Sequence, residues 1–417
     1  MMKLITKYRR RISQIGSYSI QTMMLPIGNF IISFFVVRLK GIELWGEFVY
    51  FMIIITLTDF ILAWGQKEYL LREFSRNPIW ISVNWQKSVI NRLPLVIISL
   101  SLFLLLDFSI ENKIIISVWL LSLFLYKSYD ILVLYKKQFL FIIKLEIVSL
   151  ILFVALLLIY VEFLDLTVLL LLYTFTSLIK TGTVIYYYHQ DVFPWSYVKF
   201  EPAFLKTSLP FFLPAFLGFI QSKTDLYCVA YFLSKKEVGE YQILITFLFY
   251  LQIFASLLIT PFIKNIYRLP DVSLQKLMIS LFRIGVIISI PAIYIIRFIL
   301  SRYYQFEFSP DIFIIGYFYV IPFYLYLVKL YQYFKHDKQK TVVYITILVS
   351  VINLVFNIVL INKLGIKGAL LASAISQWLM LGLLLMIIKI PAPKKVASIN
   401  PLLNQEINFR KSSNQNN

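Results

Sequence analysis

The chain has 417 residues, of which 60% are hydrophobic and 15% are charged, and its formal net charge at pH 7 is +19. Its mean hydropathy is +0.79. No soluble domain of this length needs so large an apolar fraction, so the composition excludes a soluble globular protein and places the chain in lipid.

Twelve apolar runs are long enough to cross a bilayer, because a hydrocarbon core about 30 Å thick takes roughly 20 helical residues. In chain order the predicted spans are 17–37, 44–64, 93–110, 114–135, 139–160, 165–188, 207–233, 240–262, 278–300, 310–331, 341–362 and 366–389. Backbone groups in lipid need internal partners, and the runs lack the alternation of barrel strands. Each run is therefore predicted to be a helix, which makes the fold an all-α integral membrane fold.

The segment between spans two and three, "GQKEYLLREFSRNPIWISVNWQKSVINR", is the longest connection on the side of the N-terminus. Its Trp80 and Trp85 stand among scattered basic residues. This pattern predicts a helix that lies in the membrane interface and is attracted to anionic lipid.

The spans divide into two groups of six. The predicted organisation is an N-terminal lobe at 1–190, a cytoplasmic linker at 191–206, a C-terminal lobe at 207–390 and a disordered cytoplasmic tail at 391–417. Lys and Arg are concentrated in the N-terminal tail and in alternate connections, which predicts cytoplasmic termini by the positive-inside rule. The basic excess is thus a topology signal and requires no nucleic-acid partner.

Both groups of spans begin in the same way. A proline-containing span leads through a short turn to Gly-Glu-aromatic, which is Gly46-Glu47-Phe48 in the first half and Gly239-Glu240-Tyr241 in the second. Three shared residues can arise by chance in apolar sequence, but the matching topology favours a duplication. Six is an even number, so both halves share one orientation, as in transporters built from parallel six-helix repeats.

No chemical motif accompanies the spans. Cys228 is the single cysteine and lies within a span, so no intrachain disulfide forms. The sequence has no metal-ligand spacing, nucleotide-binding loop or nucleophile motif. It therefore predicts no catalytic residue and no metal site.

Three stretches carry a resemblance to a known family: "LWGEFVYFMIIITLTDFILAWG", "KEVGEYQILITFLFYLQIFASLLITPFI" and "INLVFNIVLINKLGIKGALLASAISQW". The third contains Asn353, Asn357, Gly365, Gly368 and Ala369 in the expected order. On these stretches the chain resembles Wzx-type O-antigen and polysaccharide flippases. Their MATE-like (multidrug/oligosaccharidyl-lipid/polysaccharide) exporter superfamily also contains multidrug exporters and the lipid II flippase. Lipid II flippases have extra C-terminal spans, so twelve spans favour the polysaccharide branch.

The resemblance implies two pseudo-symmetric six-helix lobes around a central cavity that work by alternating access. The implied cargo is an undecaprenyl-diphosphate-linked oligosaccharide, moved from the cytoplasmic to the outer leaflet of the bacterial inner membrane for O-antigen, lipopolysaccharide or other surface polysaccharide. Other polysaccharide-assembly membrane proteins are possible partners. No cofactor is expected, and coupling to H⁺ or Na⁺ is left open.

Charged residues deep inside spans are the candidate site, because such residues are costly in a bilayer. Lys223, Lys127 and Lys180 are predicted to form a cationic cavity for the diphosphate. Asp225 and Asp130 are candidates for ion coupling. Asp59 is a further candidate that lies nearer a span end, where its short side chain cannot reach far towards the interface, so a role at the surface stays equally open. Lys127 and Asp130 are three positions apart and could instead neutralise each other, whereas Lys223 and Asp225 point to different sides of their helix.

Four further basic residues lie close to span ends, where long side chains can reach the interface. They are Lys144, Arg283, Arg297 and Lys329. For these four residues the sequence favours a role at the membrane surface over a role in the cavity.

Two other functions remain to be compared with the flippase. A cation-coupled exporter of small organic compounds would use the deep carboxylates, but the deep lysines disfavour cationic cargo. A membrane-bound polymerase or ligase would present a large outer loop, and the outer connections here are short. The sequence therefore favours transport over enzymatic activity, and no filter-like repeat points to a channel.

Overall fold

The computed structural model describes residues 2–76, 78–196, 199–259, 266, 269–336 and 338–386, with side chains from residue 16 onward except residues 18 and 75. These residues are almost entirely helical. The helices are α1 (Met2–Lys40), α2 (Ile42–Ala63), α3 (Gln66–Arg76), α4 (Ile81–Leu105), α5 (Ile110–Lys136), α6 (Phe139–Ile159), α7 (Leu166–Val192), α8 (Ala203–Phe232), α9 (Lys235–Ile259), α10 (Asp271–Arg302), α11 (Pro310–Lys335), α12 (Gln339–Leu364) and α13 (Ile366–Met386).

Within the described residues, twelve helical segments are long and apolar enough to cross a membrane. In the first lobe α5 packs along α7 and α1 along α6, and in the second α12 packs against α13 and α8. The predicted all-α fold of twelve spans in two six-span lobes is confirmed. The connection between α7 and α8 falls inside the predicted linker, and the predicted tail at 391–417 lies outside the described residues.

The third span differs from its prediction. It begins at Ile81, about three helical turns before the predicted start. Trp85 in these turns is 2% exposed and donates its indole N–H to the Ser128 carbonyl at 2.7 Å, so its predicted place in the membrane interface is wrong. Trp80, just before the helix, is exposed.

Buried polar side chains explain why hydropathy missed these turns. Arg92 is 1% exposed and donates to the Leu62 carbonyl at 2.9 Å, to Ser128 Oγ at 2.8 Å and to the Ser88 carbonyl at 3.1 Å. Buried polar groups are stable when they are hydrogen-bonded. A hydropathy scale records only that the residues are polar, so it assigns them to the surface.

The two Gly-Glu-aromatic turns meet at one end of the bundle, which we name the turn end. A Cβ atom on Gly46 would lie 1.7 Å from the Lys235 carbonyl oxygen, and one on Gly239 would lie 3.0 Å from the Gly46 nitrogen. Trp45 Nε1 donates to Gln242 Oε1 at 2.9 Å. Only glycine allows α2 and α9 to approach this closely, so the repeated motif forms a contact between the lobes.

The lobes also touch at the opposite end, the linker end. Helix α2 stops after Ala63 because Trp64 and Gly65 both have positive φ angles, 43° and 63°. The Trp64 ring stacks on Phe212 with centroids 4.3 Å apart, and its Nε1 donates to the Leu205 carbonyl at 3.0 Å. In this structure the two lobes are therefore in contact at both ends.

Candidate functional site

Each lobe encloses a cavity. The first-lobe cavity has a volume of about 400 Å³ and is lined by α1, α2, α5, α6 and α7. Its charged lining residues are Asp59, Lys127, Glu146 and Lys180. The fold therefore brings Lys127, Lys180 and Asp59, which the sequence singled out, to one cavity.

Both lysines of this cavity are in ion pairs. Lys127 on α5 pairs with Asp59 on α2. Lys180 Nζ on α7 lies 3.3 Å from Glu146 Oε2 on α6, and Tyr126 donates its hydroxyl to Glu146 Oε1 at 2.8 Å. Their positive charge is thus already balanced by carboxylates.

Glu146 was not among the sequence candidates. It lies two positions after Lys144, near the beginning of the fifth span. Nothing in the sequence distinguishes it there from a carboxylate at the membrane surface. A search for every carboxylate inside a predicted span would have found it. Only the packing of α6 against α7 shows that it faces Lys180.

Asp130 is placed differently from the other candidates. The alternative pairing of Lys127 with Asp130 is not formed, because Lys127 reaches across to Asp59 on α2. Among the described residues, none forms an ion pair with Asp130 within 4.0 Å. Asp130 stays a candidate for ion coupling on its burial alone, since its side chain is only partly exposed.

The second-lobe cavity is larger, about 670 Å³, and its chemistry is different. Asp225 is the only charged residue among the described residues that line it. Its Oδ2 accepts hydrogen bonds from the Tyr241 hydroxyl at 2.6 Å and from Ser373 Oγ at 2.9 Å. Asp225 is 5% exposed, so this carboxylate is held by hydroxyl groups in place of a cation.

One asparagine of the polar cavity wall is linked to a second asparagine outside the lining. Asn353 on α12 lines the cavity and donates Nδ2 to Ser376 Oγ on α13 at 2.9 Å. Asn357, one turn further, donates to Asn353 Oδ1 at 3.0 Å. The Asn357 Oδ1 atom is buried and has no hydrogen-bond partner among the described residues. Asn353 thus joins two helices and also faces the cavity.

Lys223 lies on another side of α8 from Asp225, as the sequence predicted. Phe219, one turn before it, stacks on Phe60 of α2 with centroids 4.6 Å apart, so this face of α8 is turned towards the first lobe. No hydrogen bond or ion pair joins Lys223 to another residue in the described part of the chain. Lys223 therefore belongs to the face between the lobes and has no ion-pair partner within 4.0 Å among the described residues.

The four basic residues near span ends fall into two groups. Lys144, Arg283 and Arg297 are exposed and line neither lobe cavity, and their role at the membrane surface stays a prediction. Lys329 is only 7% exposed, so its predicted reach to the interface is wrong. Its side chain lies inside the second lobe because α11 is the most deeply buried of the spans.

Comparison with known proteins bears on the fold. The sequence matches no protein-family model and no curated protein. Among solved structures, the lipid II flippase MurJ in its inward closed conformation matches with a TM-score of 0.66 and 18% identity, covering 89% of this chain and 87% of that one. The MATE multidrug transporter DinF-BH gives a TM-score of 0.59 at 15% identity, covering 90% and 94%.

A third match is a mutant of the MATE transporter VcmN from Vibrio cholerae, with a TM-score of 0.54 and 14% identity over 91% of this chain and 97% of that one. At identities this low the likeness shows the fold. The chain is a multi-pass membrane protein with the two-lobe architecture shared by these flippases and exporters.

Proposed function

We propose that the protein is a Wzx-type flippase. It moves undecaprenyl-diphosphate-linked oligosaccharide repeat units from the cytoplasmic to the outer leaflet of the bacterial inner membrane, for the assembly of O-antigen or another surface polysaccharide. The fold shared with a lipid II flippase over 89% of the chain supports a lipid-linked cargo. Transport breaks no covalent bond, so we propose no enzymatic activity and no cofactor.

The position of Lys223 is the main observation in favour of an anionic cargo. An unpaired cation inside a bilayer is costly and is retained where a ligand neutralises it. Lys223 lies on the face of α8 that is turned towards α2 of the other lobe, where a cargo crossing between the lobes must pass. A compact ammonium group is suited to a diphosphate.

The first-lobe cavity supports a second contact with the cargo. Each unpaired sugar hydroxyl taken into hydrocarbon costs about 4–8 kcal/mol, so the oligosaccharide needs a polar route. A diphosphate entering this cavity would compete with Asp59 and Glu146 for Lys127 and Lys180. We propose that these ion pairs open when the cargo arrives and close again when it leaves.

The ends of the bundle support alternating access. In this structure the lobes touch at Gly46–Gly239 and at Trp64–Phe212. Cargo therefore enters only when the linker end separates and leaves only when the turn end separates. The predicted orientation, with both termini cytoplasmic, makes the turn end the outer exit.

Asp225 is the proposed coupling residue, with H⁺ or Na⁺ as the ion. It is a deeply buried carboxylate that lines a polar cavity. One charge that crosses about 100 mV supplies about 2.3 kcal/mol. Asp130 and Asp59 remain further candidates, although the ion pair with Lys127 already satisfies Asp59.

The test uses the native host. The gene is deleted and then restored as wild type, as Lys223→Ala or as Lys144→Ala, a control at an exposed lysine of α6. Surface polysaccharide and intracellular lipid-linked repeat units are measured together. We expect the deletion strain to lose surface polysaccharide and to accumulate lipid-linked repeat units. We expect Lys144→Ala to restore surface polysaccharide and Lys223→Ala not to restore it. Unchanged surface polysaccharide after deletion would refute the flippase.

A cation-coupled exporter of small organic compounds is the second candidate. The second-lobe cavity favours it, because its lining is aromatic and polar and, among the described residues, carries a carboxylate but no basic side chain. The MATE neighbours share the fold. In the same deletion strain, increased sensitivity to cationic dyes with normal polysaccharide would select this function, and Asp225→Asn would then abolish the resistance.

A further inference from the structure

A third concavity lies outside both lobe cavities, between α8 and α12. It is a groove of about 510 Å³, within the range of roughly 300–1,000 Å³ found for small-molecule sites. Its lining includes Tyr227, Cys228 and Tyr231 of α8 and Val351, Leu354 and Ile358 of α12. Tyr231 is 83% exposed and Val351 54% exposed, so the groove opens to the bilayer.

Two polar groups make this groove different from a general lipid contact. The Tyr227 hydroxyl is buried and has no hydrogen-bond partner among the described residues. Lys223 lies one helical turn from Tyr227 on the same side of α8 and forms no hydrogen bond or ion pair within 4.0 Å there, while Asp225 acts on it only at longer range. A hydroxyl or a basic group that lacks a hydrogen-bond partner is costly in lipid, and an anionic oxygen would satisfy both.

The depth of Lys223 decides which kind of lipid fits. It precedes the end of α8 at Phe232 by nine residues, which corresponds to about 14 Å along a helix, or about half of the hydrocarbon thickness. The headgroup of a resident phospholipid stays at the membrane interface and does not reach this depth. A lipid whose phosphate is being carried across the membrane does.

We propose that this groove, the α8–α12 groove, holds the polyprenyl chain of the cargo while its phosphate contacts Lys223. The inference rests on the proposed function and deepens it, because it states where the lipid part of the cargo travels. The face of α8 with Phe219 and Lys223 is turned towards the first lobe, and the adjacent face with Tyr227 and Cys228 lines the groove. The headgroup can therefore move between the lobes while the chain remains in the bilayer.

The test measures binding, not transport. Full-length protein in phosphatidylethanolamine nanodiscs is cross-linked with a polyprenyl phosphate that carries a photoreactive group near its phosphate end. Val351→Trp fills the groove. The matched control is Val355→Trp, on the same helix and with the same exposure (53%), but outside the groove lining. Lys223→Gln tests the phosphate contact in a variant that leaves the groove open.

We expect cross-links in peptides of α8 and α12, a yield unchanged by Val355→Trp and strongly reduced by Val351→Trp. The affinity of Lys223→Gln should fall about tenfold, the factor given by about 1.4 kcal/mol. Equal yields for the two tryptophan variants, or equal competition by phosphatidylglycerol and by unlabelled polyprenyl phosphate, would overturn the proposal.

The outcomes separate this inference from the proposed function. Groove-specific binding together with a normal polysaccharide phenotype would retain the groove and reject the flippase. Loss of polysaccharide in the deletion strain with no cross-link to α8 or α12 would retain the flippase and reject the groove.

Discussion

The two lobes share the Gly-Glu-aromatic turn but differ in how they accommodate buried charged side chains. Phe48 and Tyr241 occupy corresponding positions in the repeated motif, and both are fully buried. In the first lobe the Phe48 ring stacks on Tyr173 with centroids 4.6 Å apart, whereas in the second the Tyr241 hydroxyl bonds Asp225. The hydroxyl that Tyr241 has and Phe48 lacks therefore supplies one of the hydrogen bonds that hold the buried carboxylate of the second lobe.

The difference extends to the cavities. The first lobe neutralises its deep lysines with carboxylates, in the pairs Lys127–Asp59 and Lys180–Glu146. The second lobe leaves Asp225 charged or protonated among hydroxyl groups. An ion pair can be opened by a competing anion, and a lone carboxylate can take up a proton or a cation. The repeated turn thus has the same role in both lobes, as a contact between them, whereas the chemistry of the two cavities differs.

The largest expected effect comes from replacing one buried basic residue in each lobe, Arg92 in the first and Lys329 in the second. Arg92→Met in the first lobe removes hydrogen bonds to Leu62 and Ser128, and each acceptor left unsatisfied costs about 1–3 kcal/mol. We expect a loss of about 3 kcal/mol or more. Lys329→Met in the second lobe removes no hydrogen bond or ion pair to a described residue, and it removes a basic group that is costly to bury, so we expect little or no loss. Denaturant unfolding of the purified protein measures both changes, and equal losses would show that the lobes do not differ here.

The next effect concerns the contact that the lobes share. Gly46→Ala places a Cβ where the Lys235 carbonyl oxygen lies, so we expect the turn end to separate. In a Cys228→Ser background, spin labels at Glu43→Cys and Lys236→Cys should move apart. Gly382→Ala is the control, because nothing lies within 4 Å of a Cβ at that position. An unchanged distance in Gly46→Ala would mean that this contact is not the outer closure.

A smaller effect is expected for the more buried ion pair of the first lobe. Lys180 and Glu146 side chains are 18% and 16% exposed. Lys180→Met leaves Glu146 with only the Tyr126 hydroxyl among its described partners, so we expect a loss of about 1–3 kcal/mol. The double variant Lys180→Met/Glu146→Leu should recover part of it, and a double variant less stable than the single one would contradict the pairing.

The smallest effect on stability is expected for the Lys127–Asp59 ion pair of the first lobe. The Lys127 side chain is 43% exposed, so water can replace part of this pair, although the Asp59 side chain is only 10% exposed. Lys127→Met should therefore lose less stability than Lys180→Met. Under the proposed function it should nevertheless lower the rescue of surface polysaccharide, so a change in stability without a change in rescue would assign Lys127 a structural role only.

The sequence by itself determined the membrane class, the twelve spans, the two groups of six and the position of the repeated turn. Apolar run length fixes a span because the bilayer has a fixed thickness, and this information is local. The separation of Lys223 from Asp225 could also be predicted, since two positions on a helix point to different sides. The sequence did not show that the third span begins at Ile81. Buried hydrogen bonds there stabilise polar residues that hydropathy places outside the span.

Only the tertiary structure decided which charges meet. Lys127 pairs with Asp59, 68 positions away, and Lys180 with Glu146, 34 positions away. The same is true of the bonds from Tyr241 and Ser373 to Asp225, and of the groove between α8 and α12 beside Lys223. Such partners depend on which helix faces are packed together, and the periodicity of one helix carries no information about its neighbour.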